Sequence, residues 1–274
     1  MNNASIGIFD SGFGGLTVMR AIINTLPNEN LIYFGDTARL PYGEKSAQAI
    51  QKFSVENAEF LHSLGIKILV VACHTASSVA LDLLKESFSI PIIGTIDPTV
   101  EHLKSKVQDG AIVVLGTRRT IQSGVYQEKL KELFPNNETI AIACPLFVPI
   151  VEEGFSEHKL AELAAWEYLH PIRDKKIDAV LLACTHYPLL HAALQTMLGE
   201  DTLLIDPGIA CANSIRNLLS NSSLLNDKSE TPNYKFYVSD DPQKFRKLGQ
   251  IFLHSTMADV ELISLPDYTH LCGH

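Results

Sequence analysis

Residues 68–78, "ILVVACHTASS", and residues 180–190, "VLLACTHYPLL", decide how the chain folds. Both are short apolar runs that stop on Ala-Cys and pass into a Thr/His pair. An apolar run of this length, ended by polar residues, fits a strand buried on both faces. A cysteine at the carboxyl end of such a strand stands where open parallel sheets bind their ligands. The same arrangement recurs a domain's length further on, so the chain reads as an internal duplication with Cys73 in one copy and Cys184 in the other.

Outward from these two runs, β-branched segments alternate with amphipathic ones. This is the pattern of strand-helix units around a mainly parallel sheet covered on both faces. Strands are predicted at Ile6 to Phe9, Leu31 to Gly35, Ile68 to Ala72, Ile92 to Gly94, Ala111 to Leu115, Thr139 to Ala143, Ala179 to Ala183 and Leu203 to Ile205, with weaker ones at Tyr234 to Val238 and Val260 to Ile263. Helices are predicted over Ser46 to Ser63 and Glu157 to Leu169, among others, and "SNSSLLNDKSETPN" (220–233) reads as a surface loop. The fold class is therefore α/β. Two similar lobes are expected, related by an approximate two-fold, with the ligand cleft between them.

Composition narrows the function. The 274 residues are 46% hydrophobic and 19% charged, ordinary for a soluble globular chain. No apolar run approaches the roughly 20 residues of a membrane span, and "MNNASIGIFD" has no signal-peptide pattern, so a cytoplasmic location is expected. The net charge of −9 supplies no phosphate-tracking face, which argues against direct nucleic-acid binding. Five scattered cysteines, an odd number, fit reduced thiols with separate roles better than a disulfide framework.

The chemistry-bearing residues gather at predicted strand ends. "FDSGFGG" brings Asp10 and Ser11, "GDTARLPYGEKS" brings Pro41, Tyr42 and Gly43, and "ACHTASS" brings Cys73, His74 and Thr75. In the second half "GTRRTIQSGVY" carries Thr117 and Thr120, "CPLFVPIVEEG" carries Glu152, and "CTHYP" carries Cys184, Thr185 and His186. The glycines of "DSGFGG" match neither nucleotide-loop spacing and read as a tight turn into a helix. Cys73, His74, Cys184 and His186 also form a conceivable zinc set, although their spacing lacks the usual Cys-x₂₋₄-Cys loop. Two thiols facing each other across a cleft suggest something else. One removes a proton from a carbon while the other returns one to the opposite face, inverting a stereocentre. Asp10 and His186 are placed to assist them, and Glu152 to orient a histidine.

At this point "GIFDSGFGGLTV", "GDTARLPYG", "VVACHTAS", "LGTRRTIQSGVY", "CPLFVPIVEEG" and "LLACTHYPLL" closely resemble glutamate racemases of the aspartate/glutamate racemase superfamily. The resemblance runs from about Ile6 to Asp206 and weakens beyond. It implies interconversion of L- and D-glutamate without pyridoxal phosphate or metal, supplying D-glutamate for peptidoglycan and so for cell-wall biogenesis and cell shape. It puts the catalytic cysteines at Cys73 and Cys184, Cys184 acting on L-glutamate and Cys73 on D-glutamate, with Asp10 and His186 assisting. Substrate contacts fall on Ser11, Pro41, Tyr42, Gly43, Thr75 and Thr185, with Thr117 and Thr120 close by and Glu152 supporting the second half of the site. It further implies that the tail completes the first lobe, giving residues 1–97 with 208–274 as one domain and 98–207 as the other. A homodimer is the default expectation, and DNA gyrase binding follows by family analogy only. A racemase of another amino acid, such as aspartate, or a regulatory binding protein on the same fold are the alternatives. The family motif is Cys-Asn-Thr, whereas this chain has His74, a larger and titratable donor.

Overall fold

The computed structural model describes residues 3–226, 231–257 and 259–265. Among the described residues ten strands form two sheets. They are β1 (Ile6–Asp10), β2 (Leu31–Gly35), β3 (Ile68–Val71), β4 (Ile92–Gly94), β5 (Ala111–Gly116), β6 (Thr139–Ala143), β7 (Ile177–Ala183), β8 (Leu203–Ile205), β9 (Tyr234–Val238) and β10 (Val260–Leu262). The helices are α1 (Leu16–Thr25), α2 (Ala47–Ser63), α3 (His74–Ser87), α4 (Ile96–Glu101), α5 (Arg118–Gln122), α6 (Val125–Leu133), α7 (Phe147–Glu152), α8 (Lys159–Leu169), α9 (His191–Leu198), α10 (Pro207–Asn221) and α11 (Pro242–Leu253). Boundaries differ little from the expectation. Ser46 lies outside α2 and caps it, its hydroxyl accepting from the Ala49 amide at 3.2 Å, and β7 starts two residues early. The stretch expected as a loop at 220–233 begins inside α10, while 227–230 fall outside the described residues.

The first sheet runs β10-β9-β2-β1-β3-β4 and the second β6-β5-β7-β8, every pairing parallel. The order β2-β1-β3-β4 is thus repeated as β6-β5-β7-β8, which is the duplication in structural form. In each copy the chain leaves the central strand toward one side and returns on the other. Such a reversal opens a crevice at the strands' carboxyl ends, between β1 and β3 in one sheet and β5 and β7 in the other. Strands β9 and β10 extend the first sheet beyond β2.

Alternation along each strand sorts its side chains between two cores. Phe9 and Val71 face α2 and α3, and Val114 and Leu181 face a separate cluster with Tyr126 of α6. The other faces share one core. Ile8, Tyr33, Val113, Leu115 and Val180 belong to the same buried cluster as Leu16 of α1 and Ile215 of α10. One contiguous apolar core beneath both sheets fixes their relative position and so the width of the crevice between them.

Candidate active site

The two crevices meet in a cavity of about 310 Å³, lined from the first sheet by Ser11, Gly12, Leu40, Pro41, Tyr42, Gly43, Glu44, Cys73, His74 and Thr75, and from the second by Thr117, Pro145, Val148, Pro149, Glu152, Cys184, Thr185 and His186. Among the described residues no lysine or arginine lines it. Of the residues singled out in the sequence, Asp10 and Thr120 are the two that do not line the cavity. Each stands directly behind residues that do. Leu40, Glu44, Pro145, Val148 and Pro149 line it without having been singled out, although all fall in the quoted motifs.

Cys73 follows β3 and is the N-cap of α3, so its side chain sits at a helix N-terminus. Its thiol donates to Ser11 Oγ at 3.7 Å. Burial, then the neighbouring Asp10 carboxylate, push its pKa up to about 12 against the amides that favour the thiolate. Cys184 follows β7, the equivalent strand, and burial again pushes its thiol up, with the His186 amide opposing. Burial therefore favours the protonated form of both thiols.

Their surroundings differ. Cys184 Sγ lies 3.9 Å from His186 Nδ1, and His186 Nε2 lies 3.0 Å from Glu152 Oε1. A carboxylate accepts the Nε2 proton, which leaves Nδ1 of a neutral imidazole as a lone pair facing the thiol. Asp10, on the Cys73 side, is buried; Oδ2 accepts from the Gly12 amide at 2.9 Å and Oδ1 has no protein partner. Desolvation raises its pKa; His186, whenever it is protonated, and the Gly12 amide work against that rise. Three hydroxyls join the halves: Thr75 shares hydrogen bonds with Thr117 at 3.0 Å and Thr120 at 3.4 Å, and Thr117 with Thr120 at 3.0 Å. Glu152→Gln keeps an acceptor for Nε2 but loses the charge, so kcat/KM should fall about tenfold or more, as steady-state kinetics would show.

The turn into α1 is present as expected, over residues 11–15. None of Gly12, Gly14 and Gly15 has positive φ, so the turn itself does not demand them. A Cβ on Gly14 would instead meet Thr185 Oγ1 at 2.2 Å and His186 Nδ1 at 2.5 Å. Thr17 Oγ1 holds the same junction by donating to the Thr185 carbonyl at 3.0 Å. From the tail, the Phe252 ring packs edge-on against His186 with centroids 5.1 Å apart. Sequence reasoning missed Gly14 and Phe252 as parts of the site, because both act through contacts between distant segments.

Cys144 and Cys211 are buried outside the cavity, and Cys272 lies outside the described residues. Among the described residues no three His, Cys, Asp or Glu side chains are grouped to hold a metal ion, so the conceivable zinc set does not assemble. No helix among them is long and apolar enough to cross a membrane.

Comparison with known proteins agrees with this geometry. The chain is 43% identical over 261 residues to a glutamate racemase of Geobacter metallireducens, covering 95% of this chain and 97% of that one. Its structure is similar to the crystal structure of glutamate racemase from Francisella tularensis in complex with D-glutamate, with a TM-score of 0.91 and 40% identity over 98% of this chain and 100% of that one. It is similar also to a glutamate racemase isoform of Bacillus anthracis, with a TM-score of 0.93 and 35% identity over 97% and 99% of the two chains. The family model for Asp/Glu/Hydantoin racemase matches residues 6–215, which contain both thiols and both crevices, and the chain belongs to that family of amino-acid racemases.

Proposed function

We propose that the chain interconverts L- and D-glutamate without a cofactor by proton transfer at two cysteine thiols, supplying D-glutamate for peptidoglycan in the cytoplasm. The observation that carries this reading is the pair of thiols at equivalent strand ends of a duplicated sheet, both lining one cavity. The D-glutamate complex of the Francisella relative supports the substrate. The same reading takes residues 1–97 with 208–274 as one lobe and 98–207 as the other.

In the reaction the α-C–H bond of L-glutamate breaks as its proton passes to the Cys184 thiolate, while the S–H bond of Cys73 breaks to form a C–H bond on the opposite face. Thiol and thiolate have then exchanged, and the reverse path runs from D-glutamate. In each direction only the thiol acting as base first loses its proton, Cys184 to His186 or Cys73 to Asp10, while the other thiol keeps its own. A substrate ammonium beside the unpartnered Asp10 Oδ1 cancels the charge that raises the Cys73 pKa, and His186 Nδ1 accepts the proton of Cys184. The substrate carboxylates and the charge developing at the α-carbon are met by neutral donors, namely Ser11, Thr75, Thr117, Thr185 and main-chain amides at the strand ends. Circular-dichroism polarimetry tests the reading: optical rotation of either glutamate enantiomer should decay to zero, and decay with aspartate but not glutamate would overturn it.

His74 also faces the cavity. Both its ring nitrogens lack a protein partner, its ring stacks on Tyr126 with centroids 6.4 Å apart, and burial lowers its pKa to about 3. Although histidine titrates near neutrality in water, this one is uncharged across the working range. Its bulk, relative to the asparagine of the resembling motif, displaces a bound carboxylate, and misplacement by about 1 Å costs roughly a hundredfold in rate. His74→Asn should therefore raise kcat/KM for glutamate. The ratio of variant to native should stay constant from pH 6 to 9, because neither side chain changes charge there. A clear drop would show that the histidine is an adaptation of the site.

A further inference from the structure

The segment Pro41–Tyr42–Gly43 walls the cavity with a single 3₁₀ turn, Tyr42–Glu44, as its regular structure, yet Tyr42 is fully buried. A charged network behind it supplies the rigidity. Asp36 Oδ2 accepts from Arg39 Nε at 2.7 Å and from the Tyr42 hydroxyl, and Asp36 Oδ1 accepts from Ser239 Oγ at 2.9 Å. The remaining guanidinium nitrogens of Arg39 donate to Glu56 and, at 2.9 Å, to Asn57 Oδ1, with the guanidinium carbon 4.2 Å over the Phe53 ring. Asn57 Nδ2 closes the circuit by donating to the Tyr42 oxygen at 3.1 Å. Burial, and then the adjacent Asp36, hold the Tyr42 hydroxyl far above its usual pKa, so it stays a donor.

Asp36, Arg39, Glu56, Asn57 and Ser239 do not line the cavity. Burying Asp36 and Glu56 against Arg39, with Lys52 Nζ 3.8 Å from Glu56 Oε1, is a poor route to stability, since apolar packing serves as well or better. Its geometry instead converges on one hydroxyl, that of Tyr42. On the far side the loop meets the second half of the chain. Arg119 Nε donates to the Lys45 carbonyl at 2.9 Å, and a Cβ on Gly43 would lie 2.9 Å from Thr117 Cβ. The wall is thus fixed from behind and has no slack in front.

We infer that Asp36 and Arg39 are positioning residues of the racemase: through Tyr42 they hold the Pro41–Tyr42–Gly43 wall at the distance where substrate is bound, so that affinity, and not proton transfer, depends on them. This rests on the glutamate reading above. Hydrogen bonds to charged groups are the strong ones, and losing one that shapes the wall should cost about tenfold or more in binding.

The test measures kcat and KM for both enantiomers, and calorimetric binding of D-glutamate, in the native chain, Arg39→Gln, Arg39→Lys and Ser239→Ala. Arg39→Gln should raise KM and Kd about tenfold or more with kcat within about threefold. Arg39→Lys, which keeps the charge beside Asp36 but cannot span Glu56 and Asn57 as well, should recover part of the loss. Should Arg39→Gln fail to fold, Ser239→Ala removes one hydrogen bond to Asp36 and should raise KM about threefold at unchanged kcat. KM and Kd unchanged in these variants, or kcat falling at constant KM, would overturn the inference. Absence of turnover in the native chain would instead end the glutamate reading, and Kd would still report on the wall.

Discussion

Cys73→Ala and Cys184→Ala should each lower glutamate racemisation by about a thousandfold or more, with far-UV circular dichroism and the thermal midpoint close to native. In the proposed mechanism each thiol serves one face of the α-carbon; the two sit on different sheets at equivalent strand ends, so neither should be able to do the other's work. Cys144→Ala and Cys211→Ala are the controls, being buried yet outside the cavity. If either of these proved equally damaging in a folded protein, the choice of thiols would be wrong. Proton NMR in D₂O supplies the mechanistic reading. The product enantiomer should gain α-deuterium from the start, while the remaining substrate gains little, and equal early labelling of both would indicate a single exchanging base.

The second large effect is expected at a residue with no functional group. Gly14→Ala places a methyl group where Thr185 Oγ1 and His186 Nδ1 now lie, at 2.2 and 2.5 Å from the new carbon. Neither neighbour can yield freely. The Thr185 carbonyl is held by Thr17, and the imidazole is held by Glu152 on one side and Phe252 on another. The strain must move the Cys184–Thr185–His186 turn by a few tenths of an ångström to about 1 Å, enough to cost roughly a hundredfold in kcat. Steady-state kinetics on Gly14→Ala checks this, and a variant within twofold of native would show that the turn can slide.

Much of this was legible because parallel strands buried on both faces write themselves as continuous apolar runs, so the strand ends, and the residues beyond them, could be located closely. Cys73 and Cys184 stood out because the same phrase occurs twice. What could not be read depends on partners far apart in the chain. The relation of Gly14 to His186, of Phe252 to the same ring, and of Ser239 to Asp36 all join residues whose proximity only the packed fold decides. The turn into α1 could be read locally, whereas the contact from the other sheet that excludes a side chain at Gly14 could not. His74 was taken as titratable from its type alone, and its burial, which cancels that property, has no local signature.

The two thiols do not have mirror-image surroundings, since a serine and a buried carboxylate attend Cys73 and an imidazole backed by Glu152 attends Cys184. The two substrates, however, are mirror images, and in water they have equal free energy. The equilibrium constant is therefore unity whatever the protein does, and kcat/KM must be the same from either side in the native chain and in every variant of it. The lopsided site can express itself only as compensating differences in kcat and KM taken separately, and in how readily each sulfur gives up its proton. A substitution confined to one side, such as Glu152→Gln, should shift that balance and pull the two enantiomers' kcat values apart, while the ratio of each to its own KM remains a matched pair.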